Sequence, residues 1–296
     1  MTRSPHDPHA GAGGATPDLE IGATVLVESG LVFAEPDGYR PLELDLYVPE
    51  DLETPAPLLV FVHGGGWSRG SRRSFGPTFD ECFFARIAAA RGYVVASIDY
   101  RLSGEARFPA QLEDVHAALD WLADHAPAHG ADIARTVLWG ESAGGHLAAL
   151  AALTRDSTSP VTQPVGLVGV VDWYGPSDLT TMAAQAPADA VSRADDVDSR
   201  EARLLGGPVA EVGELAAQAS PVTYVRADAP PFLLVHGTHD RFVPVGQSEQ
   251  FHAALEAVGA SSRLELVEGA DHAWHDTDPE AVLARSLEFV AQVTSA

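Results

Sequence analysis

The sequence contains no lysine, so all 18 of its fixed positive charges are arginines. Against them stand 42 aspartates and glutamates, which gives a formal net charge of −24. So acidic a chain repels phosphate backbones and anionic lipid headgroups, which argues against nucleic-acid and membrane partners. Either a GC-rich genome or a salt-adapted host would produce such a composition. Cys82 is the sole cysteine, so neither an intrachain disulfide nor a cysteine-based zinc site can form. No stretch approaches the ~18 consecutive apolar residues of a spanning helix. Residues Met1 to Asp18 are rich in His, Pro, Gly and Ala and lack the apolar run of a signal peptide. They read as a flexible tail in which His6 and His9 are solvated rather than metal-bound. Together these absences lead to the expectation of a soluble, cytoplasmic protein.

What is present suits a large core. Of 296 residues 46% are hydrophobic and 20% charged, the balance of an ordinary globular chain, here read as one domain over 19–296. Two β-rich runs, Ala23 to Ala34 and Leu42 to Val48, flank the turn cluster Glu35-Pro36-Asp37-Gly38 and read as an antiparallel start to a sheet. Then come continuous apolar runs typical of strands buried on both faces: Leu58 to Val62, Tyr93 to Ile98, Thr136 to Trp139, Leu167 to Val171, Phe232 to Val235 and Leu264 to Val267. Helical patterns over Gln111–His125, Ala143–Leu153, Ser248–Val258 and Pro279–Val293 alternate with them. This predicts an α/β fold with a mostly parallel central sheet covered on both faces. From Pro176 to Arg226 the alternation fails, and eight carboxylates face four arginines. That length is too great for a bare loop, so a short-helical insertion over the ligand site is expected before the next strand.

The chemistry should lie on loops leaving the carboxyl ends of the strands. Gly-x-Ser-x-Gly occurs twice, at Gly66–Gly70 around Ser68 and at Gly140–Gly144 around Ser142. A nucleophile elbow needs a buried strand before the serine and a helix after it. Ser142 has both; Ser68 is followed by Arg69-Gly70-Ser71-Arg72-Arg73 and has neither. Ser142 is therefore the candidate nucleophile. His63-Gly64-Gly65-Gly66-Trp67 directly follows the first buried run, where bare glycines let backbone N–H groups approach a substrate oxygen. The N–H of Ala143, next to the nucleophile, should complete such an oxyanion hole. The candidate base is His272, just past the last strand, with His275 its nearest competitor. Asp240, past the strand Phe232 to Val235, is the candidate orienting carboxylate, ahead of Asp271 beside the histidine. A metal site at His236, His239 and Asp240 lacks a recognised ligand spacing, and none is expected.

Taken with Asp99-Tyr100-Arg101-Leu102, Phe108-Pro109-Ala110, Gly140-Glu141-Ser142-Ala143-Gly144-Gly145-His146, Asp172-Trp173-Tyr174-Gly175 and Ser220-Pro221, these motifs resemble the α/β-hydrolase superfamily. Within it the chain looks like the hormone-sensitive-lipase-type and feruloyl-esterase-like bacterial carboxylesterases. The resemblance implies an α/β-hydrolase fold and a cofactor-free serine carboxylesterase acting on short-chain or aryl esters. Its catalytic residues would be Ser142, Asp240 and His272, and its oxyanion donors Gly65, Gly66 and Ala143. An aryl-formamidase or peptidase using the same triad is the alternative, and a non-catalytic small-molecule receptor a further one. Trp67, His146, Trp173, Tyr174 and Trp274 lie beside these loops and are candidates for the substrate pocket. Arg101 fits a structural ion pair with Glu113 or Asp114 better than a ligand contact. The expected partner is a small-molecule ester, with a homodimer possible.

Overall fold

A computed structural model describes residues 24–52, 55–155 and 165–295. The tail read over 1–18, with His6 and His9, lies outside the described residues. Eight strands form one sheet: β1 (Val25–Ala34), β2 (Leu42–Pro49), β3 (Ala56–Val62), β4 (Val94–Ile98), β5 (Ala131–Glu141), β6 (Leu167–Trp173), β7 (Phe232–Gly237) and β8 (Ser262–Val267). Their spatial order is β1-β2-β4-β3-β5-β6-β7-β8. The first two pairings, β1 with β2 and β2 with β4, are antiparallel, and the remaining five are parallel. This is the α/β-hydrolase arrangement.

Strand side chains alternate between two apolar layers, as a pleat with period two requires. Leu58, Val60 and Val62 of β3 enter one cluster, and Leu59 and Phe61 the other. The first layer is closed by α2 (Ala110–His125), α3 (Ala143–Thr154) and α7 (Gly246–Ala257), through Val115, Leu119, Leu147, Leu150 and Phe251. The second is closed by α1 (Phe83–Arg91) and α8 (Pro279–Thr294), through Phe83, Phe84, Ile87, Leu283 and Leu287. Sequence patterning does not single out α1, whose Phe-Phe start and alanine-rich body carry little helical periodicity. Helix α3 is buried on every side from Ala143 to Leu153, which is why its sequence is apolar all round. The segment from Pro176 to Arg226 holds three short helices, α4 (Met182–Gln185), α5 (Arg200–Leu205) and α6 (Gly213–Gln218), and a 3₁₀ turn at Pro221–Tyr224. Arg101 pairs with Asp114 at 2.7 Å and Glu113 at 3.3 Å, tying the loop after β4 to α2 as the sequence pattern leads one to expect.

Candidate active site

Parallel register brings five strand ends to one edge. Val62 at the end of β3 pairs with Gly140 of β5, Glu141 with Trp173 of β6, Trp173 with Val235 of β7, and Gly237 with Val267 of β8. The loops carrying Gly65, Ser142, Asp240 and His272 all leave from this edge.

Ser142 sits at the junction of β5 and α3 with φ 52° and ψ −120°, a left-handed conformation costly for any residue but glycine. Two anchors hold the turn: Ser142 N–H donates to the Trp173 carbonyl at 2.8 Å, and His146 N–H to the Ser142 carbonyl at 3.0 Å. The flanking glycines are required by close approach. A side chain on Gly140 would strike the backbone of Gly144, and one on Gly144 the carbonyl of Val62.

His272 Nε2 lies 3.0 Å from Ser142 Oγ, and its Nδ1 lies 2.6 Å from Asp240 Oδ2. The other oxygen of Asp240 accepts from the Phe242 and Val243 N–H groups at 2.8 Å each. Asp240 is thereby fixed in a turn with one oxygen free for the imidazole. Burial opposes its ionisation, but the neighbouring imidazoles of His272 and His236 prevail and hold its carboxyl below the usual carboxylate range. His236 is itself held, through Nδ1 by Ser248 Oγ at 2.7 Å and through Nε2 by the Val243 carbonyl at 2.9 Å. Asp271 faces elsewhere. Its Oδ1 accepts from the N–H groups of His272 at 2.8 Å and Arg241 at 3.0 Å, and its Oδ2 pairs with the Arg241 guanidinium. His275 borders the cavity but is exposed, and its side chain is not bonded to Ser142.

Gly65, Gly66 and Ala143 all line a cavity of about 540 Å³ above Ser142. Gly65 and Gly66 turn with φ 111° and 59°. The loop beyond them is pinned by Arg72, whose guanidinium meets Asp45 at 2.7 Å, Glu43 at 2.8 Å and Asp99 at 3.0 Å. Ser68 lies away from the triad candidates and donates to the Gly65 carbonyl at 3.3 Å.

The aromatic candidates for the pocket are placed differently from expectation. Only Trp67 borders the cavity, and its indole N–H donates to His146 Nδ1 at 3.2 Å. His146 is wholly buried, with Nε2 on the Ala219 carbonyl at 2.6 Å; burial lowers its pKa to about 4. Trp173 packs edge-on against Trp139 and Trp274 in the second apolar layer. Tyr174 packs on the His272 ring at 4.6 Å and donates to Glu141 at 3.0 Å. His146, Trp173, Tyr174 and Trp274 therefore support the loops from beneath rather than line the cavity. Proximity in sequence to a loop does not tell which side of it a bulky side chain takes. The residues that do line it include Phe75, Met182, Arg200, Glu201 and Phe242. Sequence reasoning missed these. Phe242 had a signal, since it follows Asp240 by two positions; the others come from segments without strand-end context.

The family described as BD-FAE matches residues 44–255, from β2 to α7. The chain belongs to this family of α/β-hydrolase esterases. Among similar curated proteins is esterase LipC of Mycobacterium tuberculosis, 36% identical over 243 residues, which are 77% of this chain and 56% of LipC. Carboxylesterase NlhH of the same organism is 31% identical over 240 residues, 79% of this chain and 72% of NlhH. Among solved structures, the thermophilic esterase Est2 of the Planctomycetes species Thermogutta terrifontis superposes with a TM-score of 0.70 at 26% identity, covering 94% of each chain. Est2 has also been solved with propionate bound. The chain spans about half the length of the first curated relatives it matches.

Proposed function

We propose that this chain is a serine carboxylesterase that hydrolyses short-chain or aryl esters without a cofactor. The observation that carries the reading is the continuous bonding of Ser142 Oγ to His272 Nε2 and of His272 Nδ1 to Asp240. Ser142 attacks the ester carbonyl as His272 takes its proton, and His272 returns that proton to the leaving alcohol. The resulting acyl group on Ser142 is released by water activated in the same way. Asp240 fixes the imidazole tautomer and faces the charge that forms on it. Backbone N–H groups of Gly65, Gly66 and Ala143 receive the tetrahedral oxyanion, at the start of a helix whose dipole favours negative charge. A cavity of about 540 Å³ suits a compact ester, in keeping with the propionate bound by Est2.

A panel of p-nitrophenyl esters of rising acyl length, with an aryl formamide beside it, tests this. Acyl groups up to about six carbons should be preferred, and Ser142→Ala should lower kcat by ~10⁴ or more. Hydrolysis of the formamide alone, or full activity in Ser142→Ala, would overturn the reading. The same proposal places the enzyme in the cytoplasm, consistent with a single, exposed cysteine. No helix among the described residues is long and apolar enough to cross a membrane. A homodimer would have the open edge of β1, with exposed Leu26 and Val32, to pair through; sedimentation velocity decides it.

A further inference from the structure

Most arginines among the described residues are matched with carboxylates, as Arg72, Arg101 and Arg155 show. Arg200, the first residue of α5, breaks that pattern beside the nucleophile. It lines the cavity over Ser142, half-buried, and its guanidinium bonds no carboxylate or carbonyl among the described residues. Its stem lies against Gly66, whose hydrogen leaves the space that any side chain would need. Its guanidinium lies over the Phe242 ring at 5.0 Å, and that ring is 5.2 Å from the ring of His272. The cation is therefore held in place by an aromatic face, within the layer that borders the base and the glycine loop.

Its electrostatic surroundings are unfavourable to it. Burial disfavours the charged form most, and the like charges of Arg69 and Arg203 add to that, with Glu201 the one attractive neighbour. Arg69 lines the same cavity. Glu201 also borders it, but it is only 3% exposed, burial raises its carboxyl pKa, and its Oε2 has no hydrogen-bond partner among the described residues. Arg69, Arg73 and Arg200 thus border one cavity with Glu141 and Glu201, and of the three arginines only Arg73 has a carboxylate partner among the described residues, Asp45 at 3.6 Å. A chain with 42 acidic residues had ample means to neutralise this corner and has not done so.

We infer that the substrate carries an anionic group, a carboxylate in the simplest case, which Arg200 binds while the ester carbonyl sits in the glycine loop. The inference rests on the esterase reading and narrows it to esters with a carboxylate on the acyl chain or on the alcohol. Arginine suits the task because its planar fork can bond both oxygens of a carboxylate while one face stays on Phe242.

Two matched pairs test it. Mono-p-nitrophenyl glutarate against p-nitrophenyl valerate places the charge on the acyl side, and carboxyphenyl butyrate against phenyl butyrate places it on the alcohol. In at least one pair kcat/KM should favour the charged member by about tenfold or more, through KM, and the preference should shrink as NaCl is raised. Arg200→Gln should bring that ratio close to one, Arg200→Lys should keep part of it, and Arg69→Gln should lower it less. No preference in either pair, or a ratio unmoved in a folded Arg200→Gln, overturns the inference. Should Arg200→Gln fail to fold, a wild-type preference insensitive to salt overturns it equally. If no ester is hydrolysed the esterase reading falls. Calorimetric titration with the same esters then decides the anion site: tighter binding of the charged member supports it, and equal binding refutes it.

Discussion

Two aspartates approach His272, and their bonds assign them different work. Asp240 directs one oxygen to Nδ1 at 2.6 Å, while Asp271 bonds the His272 main chain and Arg241. Asp240→Asn should lower kcat by about 10³–10⁴ with little change in KM, because both charge and tautomer control are lost. Asp271→Asn should keep kcat within about tenfold and lower the melting temperature, since it loosens the loop without touching the imidazole edge. Steady-state kinetics and thermal melts on both variants check this. A severe kinetic loss in Asp271→Asn with a mild one in Asp240→Asn would exchange the roles.

Among the elements, the end of β6 carries a buried carboxyl with a measurable signature. Asp172 accepts from the Gly175 N–H at 2.8 Å and packs under the elbow against Gly145. Burial raises its pKa from 3.8 to about 7, against the weaker pull of that hydrogen bond and of His236. Between those two values the folded protein keeps a proton that the unfolded chain has released. The stability contributed by this proton is therefore full at pH below about 4 and is lost progressively as pH rises to about 7. Each tenfold difference in proton affinity between the folded and unfolded chain corresponds to roughly 1.4 kcal/mol. Asp172→Asn keeps the acceptor and removes the titration. Its stability relative to wild type should rise between about pH 5 and about pH 8, read by urea unfolding at both. A constant difference across that range would show that Asp172 is not protonated in the fold.

For the whole molecule the net charge of −24 sets the behaviour. Ion pairs such as Arg72 with its three carboxylates use arginines where they brace loops, and most of the acidic excess is left to repel itself. Screening that repulsion should outweigh the weakening of surface pairs, so the melting temperature should rise as NaCl goes from about 0.05 to about 1 M. A falling melting temperature would mean that the pairs matter more than the net field.

The sequence by itself determined the strand order in the chain, the doubly covered sheet and the triad candidates. Buried parallel strands write themselves as continuous apolar runs, and an elbow must be a serine between close-packed glycines. Strand-end positions of Asp240 and His272 were legible for the same reason: a parallel sheet brings all its carboxyl ends to one edge, so chain position predicts location. Tertiary structure alone decided what lines the cavity. Whether Trp173, Tyr174 and Trp274 face substrate or core depends on which side of a loop each ring takes, and left-handed turns at Tyr174 and Trp274 send them inward. Arg200 and Glu201 reach the site from a segment some sixty residues along the chain from Ser142, without strand periodicity to place it. Only the packing of α5 over the glycine loop brings that charge to the nucleophile, and no local pattern encodes a contact between such distant segments.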